Sequence, residues 1–133
     1  MSTHDVPASP IDDDQPIHHI ALPEDWADAF QTGEYTVSSR GATLDEVGFI
    51  HASTRAQVEA TANRFYSDLD RVVLLTIDPR KVEPDIRWEP PVPGSDELFP
   101  HIYGPLAISA VVVATFWLRS IDLDGAGWSL DDL

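Results

Sequence analysis

The chain has 133 residues, with 23 acidic and eight basic side chains and no cysteine, so its formal net charge is −15. This length fits a single domain with a sizeable core, and the lack of cysteine excludes disulfides, thiol nucleophiles and cysteine zinc sites. The negative field would repel duplex nucleic acid and anionic membranes, so we expect neither as a partner. A small phosphorylated ligand remains compatible, because local groups can overrule the mean field.

Composition divides the chain into three segments. Residues 1–15 carry four acids, no base and two prolines, which predicts a disordered acidic tail. Residues 16–118 contain the periodic segments and are predicted to form one α+β domain. Residues 119–133 are predicted to form a second acidic tail, which Trp128 could dock onto the domain. The acidic, proline-containing start is unlike a signal peptide, so we expect a cytoplasmic protein.

The first half of the domain predicts two strands and two helices. Residues 16–22 form a short strand candidate. Pro23 begins a helix and Gly33 ends it, since proline suits the first helical position and glycine suits the position after the last. Residues 48–53 predict a buried strand. Thr54, with a glutamine three residues later, has the spacing of a capping box at the start of the next helix.

The second half is dominated by strands. Residues 71–77 and 110–118 are continuous apolar runs, which predict two central strands, and residues 85–89 alternate like a half-buried strand. Seven prolines over residues 79–105 predict a long, stiff loop. About five to six strands and two main helices in mixed order favour an α+β fold, with helices packed on a curved mixed sheet.

Histidine is the residue type that most directly indicates chemistry. His19 lies in the first strand, His51 in the second and His101 at the end of the proline-rich segment. A buried imidazole needs partners for both ring nitrogens. Either the three rings surround one cleft, or each is a core histidine bonded to a nearby carbonyl or hydroxyl. No H-x-x-x-H or H-x-H spacing supports a three-histidine metal site, so we expect no metal.

Four further side chains are candidates for the same site. Ser53 and Tyr103 place hydroxyls beside histidines, although no G-x-S-x-G elbow indicates a serine hydrolase. Glu89 follows Trp88, and an apolar wall there would raise the pKa of its carboxyl for proton transfer. The alternative is an edge acid paired with Arg87 or Arg64. Arg64, near the end of the capped helix, faces either solvent or an anionic ligand.

The order of these motifs resembles one bacterial family, the domain of unknown function 952. The resemblance covers roughly residues 17–118 and depends most on G-F-I-H-A-S at residues 48–53 and F-P-H-I-Y-G-P-L at residues 99–106. It implies a fold similar to that of ADP-ribosyltransferases, in which a split, strongly curved mixed sheet grips NAD in its cleft.

The resemblance also implies roles for the candidate residues. His19 would orient a ribose, His51 and Ser53 would line the floor of the cleft, and His101 would stand where the transferases carry a glutamate. Tyr103 would contact the nicotinamide side, and Glu89 would be a reserve acid. The implied ligand is NAD or a related nucleotide, and the implied reaction is its transfer or cleavage.

Two other functions stay open at this point. One is a non-catalytic ligand-binding module, which the missing glutamate favours. The other is a small-molecule enzyme that uses the histidine cluster for acid–base chemistry. The sequence predicts no oligomeric state.

Overall fold

A computed structural model describes residues 15–120 and 127–133 of the protein. The predicted tail at residues 1–15 lies almost wholly outside the described residues. The helices are α1 (Pro23–Thr32), α2 (Leu44–Val47) and α3 (Arg55–Phe65). The strands are β1 (Ile17–Ala21), β2 (Glu34–Tyr35), β3 (Val37–Ser39), β4 (Ala42–Thr43), β5 (Ile50–His51), β6 (Arg71–Ile77), β7 (Ile86–Glu89), β8 (Phe99–Ile102), β9 (Leu106–Ala107) and β10 (Val111–Leu118).

The α+β class is confirmed, but the predicted curved mixed sheet of five to six strands is wrong. The ten strands of the described segments form two three-stranded sheets, β1-β6-β10 and β5-β8-β7, and two small pairs, β2-β9 and β3-β4. Every pairing among them is antiparallel. Antiparallel strands need no helical crossover, so short turns and loops suffice to connect many short strands.

Strand β6 is the centre of the first large sheet, as its continuous apolar run predicts. It pairs with β1 on one side and β10 on the other. The prediction of a second central strand is wrong, because β10 has β6 as its one neighbour in the described part of the sheet. Val112, Val113, Phe116 and Leu118 are each about half exposed. An apolar run alone does not distinguish an edge strand from a central one, since both present the same sequence pattern.

Strand β8 is the centre of the second large sheet and was predicted as loop. Pro100 argues against a central strand because it has no backbone N–H to donate. Here its carbonyl accepts a hydrogen bond from the Ala52 N–H at 3.0 Å, and Pro100 pairs with Trp88 in β7. The proline therefore sits in the sheet at a position where its acceptor is used.

The two large sheets meet at one backbone contact. His18 and Ser53 exchange both of their backbone hydrogen bonds, at 2.7 and 2.8 Å. This bridge connects β1 to Ser53, which lies two positions after the end of β5. It places the histidines of β1 and β5 in the same region of the molecule.

The two predicted helices are confirmed at the ends that their signals mark. Pro23 opens α1, and Gly33 follows it in the left-handed conformation, with φ of 85°. Thr54 and Gln57 form both hydrogen bonds of the capping box at the start of α3. Helix α2 was not predicted because it has only four residues. None of the described helices combines the length and apolar character needed to cross a lipid bilayer.

The C-terminal segment packs on the domain beyond the predicted boundary at residue 118. The Trp128 side chain is 2% exposed and belongs to the apolar cluster beneath α3. The Asn63 side chain holds the Trp128 backbone, accepting from its N–H at 2.7 Å and donating to its carbonyl at 3.1 Å. Residues 127–133 are therefore part of the packed structure.

Candidate functional site

A cleft of about 580 Å³ opens between β1, β5, α3 and the segment of residues 91–99. Its volume is typical of small-molecule sites. Four of the predicted site residues line it, namely His19, His51, Ser53 and Arg64. The other three do not line it. Glu89 is on β7, His101 is on β8 directly opposite His51, and Tyr103 follows the end of β8.

His19 is a fully hydrogen-bonded core histidine. Its Nδ1 lies 2.5 Å from the His51 carbonyl oxygen, which can only accept, so Nδ1 carries the ring proton. Its Nε2 then accepts a hydrogen bond from the Tyr35 hydroxyl at 2.8 Å. Burial, the main cause, lowers the pKa of His19 to about 4, so the ring is neutral at pH 7.

Both ring nitrogens of His19 are thus engaged within the protein. This geometry favours the interpretation of His19 as a core residue that fixes the backbone of β5 at His51. The ribose contact implied by the family resemblance stays a prediction, because it would need one of these two hydrogen bonds to be given up.

His51 is the histidine that faces the cleft most openly. Its side chain is half-buried, and its ring nitrogens form no hydrogen bond within residues 15–120 and 127–133. Burial, followed by the neighbouring His101, lowers the pKa of His51. The ring is therefore neutral at pH 7 and can accept a proton.

His101 and Glu89 form a pair behind His51. His51 and His101 are directly opposite each other on neighbouring strands, so their side chains are on the same face. The His101 ring is almost fully buried, and its Nδ1 donates to Glu89 Oε1 at 2.8 Å. The Tyr103 hydroxyl donates to the same oxygen at 2.6 Å. His101 Nε2 is buried and has no hydrogen-bond partner in the described part of the chain.

Phe49 closes this cluster on one side. Its ring stacks on His101 at 4.0 Å between centroids and contacts His51 edge to face at 4.8 Å. The two histidine rings are themselves 5.2 Å apart, in an edge-to-face arrangement. An apolar ring therefore covers the imidazole pair, and hydrogen bonds within it gain strength where water is excluded.

The expected rise in the pKa of Glu89 is wrong. Hydrogen bonds from Tyr103 and then His101 stabilise the carboxylate, so its pKa is lowered. Trp88 supplies no apolar wall, because neighbouring residues of a strand point to opposite faces. Glu89 is therefore an ionised acceptor at neutral pH. Its hydrogen bonds come from Tyr103 and His101, and Arg87 adds a smaller electrostatic stabilisation of the carboxylate.

Two arginines give the cleft a local positive charge. Arg64 on α3 stacks over the Phe65 ring at 5.3 Å, and no carboxylate of the described chain lies within ion-pair distance of it. Arg40 also lines the cleft, but Asp68 already binds it through two hydrogen bonds of 2.7 Å. Arg64 is therefore the stronger candidate for an anionic ligand.

Ser53 combines a structural and a cleft-facing role. Its backbone joins the two sheets at His18, and its hydroxyl lies 3.5 Å from the Thr61 hydroxyl on α3. This contact is long, so either hydroxyl could exchange it for a ligand. In the described segments, no three histidine, aspartate or glutamate side chains gather closely enough to hold a metal ion.

Sequence reasoning missed three residues of the site. Tyr35 completes the bonding of His19, Phe49 covers the histidine pair, and Arg40 adds positive charge at the cleft. The requirement that a buried imidazole bond through both nitrogens indicates that some partner exists. It does not identify that partner, because β1 and β2 come together only in the tertiary fold.

Comparison with known proteins places the chain in a family. The profile of the family described as "Protein of unknown function (DUF952)" matches residues 20–114. The chain belongs to the DUF952 family. The DUF952 match includes six of the seven predicted site residues, and His19 lies one position before it.

Solved structures of another protein support the same fold. The crystal structure of protein CC0527 from Caulobacter crescentus is 29% identical, with a TM-score of 0.71 over 89% of this chain and 96% of that chain. Its solution NMR structure has a TM-score of 0.68 at the same identity and coverage. No functionally curated protein matches this DUF952 chain. The ADP-ribosyltransferase-like fold stays a prediction.

Proposed function

We propose that the cleft of this DUF952 protein binds a nucleotide-type ligand, meaning a phosphorylated molecule with a sugar and a planar ring. The observation that carries this proposal is the position of Arg64. In a chain of net charge −15, it is a cleft-lining guanidinium with no carboxylate of the described residues paired to it. A guanidinium in such a position suits a phosphate, which it can bind through two parallel hydrogen bonds.

Other groups at the cleft suit the remaining parts of a nucleotide. Phe65 is 59% exposed beside Arg64 and could stack on a planar base. The hydroxyls of Ser53 and Thr61 are suitable partners for a ribose. Arg40 could share the phosphate charge if its ion pair with Asp68 opens.

Within this ligand class, NAD or ADP-ribose is our specific proposal, with transfer or cleavage of NAD as the reaction. Its support is the likeness to ADP-ribosyltransferases noted from the sequence, which is an analogy at the level of fold. The same cleft without turnover would be a ligand-binding module. Release of nicotinamide from NAD would distinguish the enzyme from the module.

A thermal-shift measurement on the full chain tests the proposal. The ligands are NAD, ADP-ribose and adenosine 5′-monophosphate, with uncharged adenosine for comparison. A ligand at about 100 times its dissociation constant adds about 2.7 kcal/mol, which raises the melting temperature of a domain of this size by roughly 10 °C. We expect shifts with the phosphorylated ligands and a smaller one with adenosine.

Arg64→Gln should abolish most of the shift. Arg71→Gln is the matched control, because Arg71 also stacks over a phenylalanine ring, at 5.1 Å, but on β6 and outside the cleft. No shift with any phosphorylated ligand, or equal losses in the two variants, would contradict the proposal.

A further inference from the structure

One buried atom in the cluster beside the cleft has no explanation in the packing of the fold. His101 Nε2 is enclosed by protein and has no hydrogen-bond partner among residues 15–120 and 127–133, although buried polar atoms are almost always paired. The other ring nitrogen, Nδ1, donates to Glu89 Oε1. In the neutral ring, Nε2 is therefore a bare acceptor held in a fixed orientation.

His51 is the one neighbour of the His101 ring that both lines the cleft and has ring nitrogens available. The centroids of the two rings are 5.2 Å apart. That separation suits an N–H···N hydrogen bond between two imidazoles once a ring nitrogen of each faces the other. Phe49 stacks on His101 and so limits the access of competing water.

We infer that His51 is the proton-transfer group of the cleft and that His101 and Glu89 are positioning residues that orient it and carry its charge. This inference rests on the proposed function, because it concerns a ligand in the same cleft. It assigns the acid–base chemistry to a chain of three side chains, running from His51 in the cleft through the buried His101 to the partly exposed Glu89.

The proton transfer balances without any further reactant. A hydroxyl of the ligand, or a water beside it, gives its proton to the cleft-facing ring nitrogen of His51. The other His51 nitrogen passes its own proton to His101 Nε2. His51 is then neutral again, in its other tautomer. The positive charge is on His101, beside the Glu89 carboxylate, and reversal of the two transfers protonates a leaving group.

The charged and titratable groups around these three side chains come from four strands. They are His19 on β1, His51 on β5, Arg87 and Glu89 on β7, and His101 on β8, with Tyr103 directly after β8. Arg87 lies over the Tyr103 ring at 4.4 Å, and Tyr103 donates to Glu89. Of these groups, Glu89 carries the charge that substitution tests most directly. One substitution removes the charge, and another removes the Tyr103 hydroxyl that donates to it.

Nuclear magnetic resonance of the histidine side chains in the unliganded full chain tests the inference. We expect the His101 ring to carry its proton on Nδ1, with Nε2 resonating as a bare or hydrogen-bonded acceptor. In Glu89→Gln, the titration midpoint of His51 should fall by roughly half a pH unit or more, because a nearby negative charge is lost. Glu97→Gln is the control, because Glu97 lines the cleft but is not one of the three side chains of the proton-transfer path. It should leave the His51 titration midpoint unchanged.

Tyr103→Phe gives a second, opposite test. It keeps the Glu89 charge and removes the hydroxyl that partly neutralises it, so the His51 midpoint should rise. A purely structural role of these residues would not move the midpoint in opposite directions. Equal midpoints in the wild type and both variants, or a proton on His101 Nε2 at neutral pH, would overturn the inference. Nucleotide binding is measured separately by the thermal shift, so its failure is distinguishable from failure of the proton chain.

Discussion

The histidines of this protein show how the bonding of one side chain decides its role. His19 and His51 are both near the cleft, but His19 uses both ring nitrogens inside the protein. His51 uses neither in the described structure, and the residue lines the cleft. The first is held neutral by burial, whereas the second is placed to exchange a proton.

The low pKa of His19 predicts that the protein loses stability in mild acid. The unfolded chain takes up a proton at His19 near pH 6.5, whereas the folded chain does so only near pH 4. The free energy of unfolding should therefore fall by about 3 kcal/mol from this group between pH 6.5 and 4. The lowered pKa values of His18 and His51 act in the same direction.

Urea denaturation at pH 7, 6 and 5 measures this loss above the range in which most carboxylates titrate. His19→Phe keeps a ring of similar shape and removes the titrating group. The free energy of unfolding of this variant should change less with pH than that of the wild type, by up to about 1.4 kcal/mol per pH unit. A wild-type stability that is constant from pH 7 to 5 would contradict the prediction.

Tyr35→Phe should destabilise the fold although it keeps the core ring. It removes the hydroxyl that donates to His19 Nε2 and leaves that buried acceptor without a partner. We expect a loss of about 1–3 kcal/mol. Urea denaturation checks the value, and Tyr66→Phe, which removes the hydroxyl of another core tyrosine that bonds to no histidine, should cost less.

At the scale of elements, local signals were predictable and tertiary pairings were not. Pro23, Gly33 and Thr54 act on their own few neighbours, so the ends of α1 and the start of α3 could be read from the sequence. The central position of β8 and the edge position of β10 depend on which strands pair. Candidate site residues were identified by type, but their partners required the fold.

Trp128 docks the C-terminal segment on the domain, as the sequence allowed, although the acidic composition predicts a tail. Trp128 contacts Trp117 edge to face at 5.2 Å, and its Nε1 donates to the Tyr66 carbonyl at 3.1 Å. Trp128→Ala should therefore cost about 3–5 kcal/mol. Leu133→Ala, in the same segment but 49% exposed, should change stability by about 0.5 kcal/mol or less. Similar losses for the two variants in urea denaturation would show that the segment is not docked as described.

At the scale of the whole molecule, charge is the dominant property. A net charge of −15 produces self-repulsion that opposes the compact state. The same field opposes the approach of an anionic ligand, so the proposed binding depends on arginine contacts that act at short range. Salt screens interactions beyond about 8 Å at physiological ionic strength and so weakens the repulsion more than these contacts.

Moderate salt should therefore stabilise the protein. We expect the melting temperature at pH 7 to rise between ~20 and ~300 mM sodium chloride, because the screening length falls from roughly 20 Å to roughly 6 Å. Near the isoelectric point of about 4.3, where the net charge vanishes, the same addition should have little effect. A melting temperature that falls with salt at pH 7 would mean that ion pairs such as Arg40–Asp68 outweigh the repulsion.

The hydrogen bond between His19 and Tyr35 also has an evolutionary consequence. Two positions 16 residues apart share one buried bond, so a change at either leaves the other with an unmet polar atom. A lineage can lose the pair most easily if both positions become apolar together. Members of the family should therefore vary at these two positions jointly, and a relative with only one of the two residues should carry a new donor or acceptor nearby.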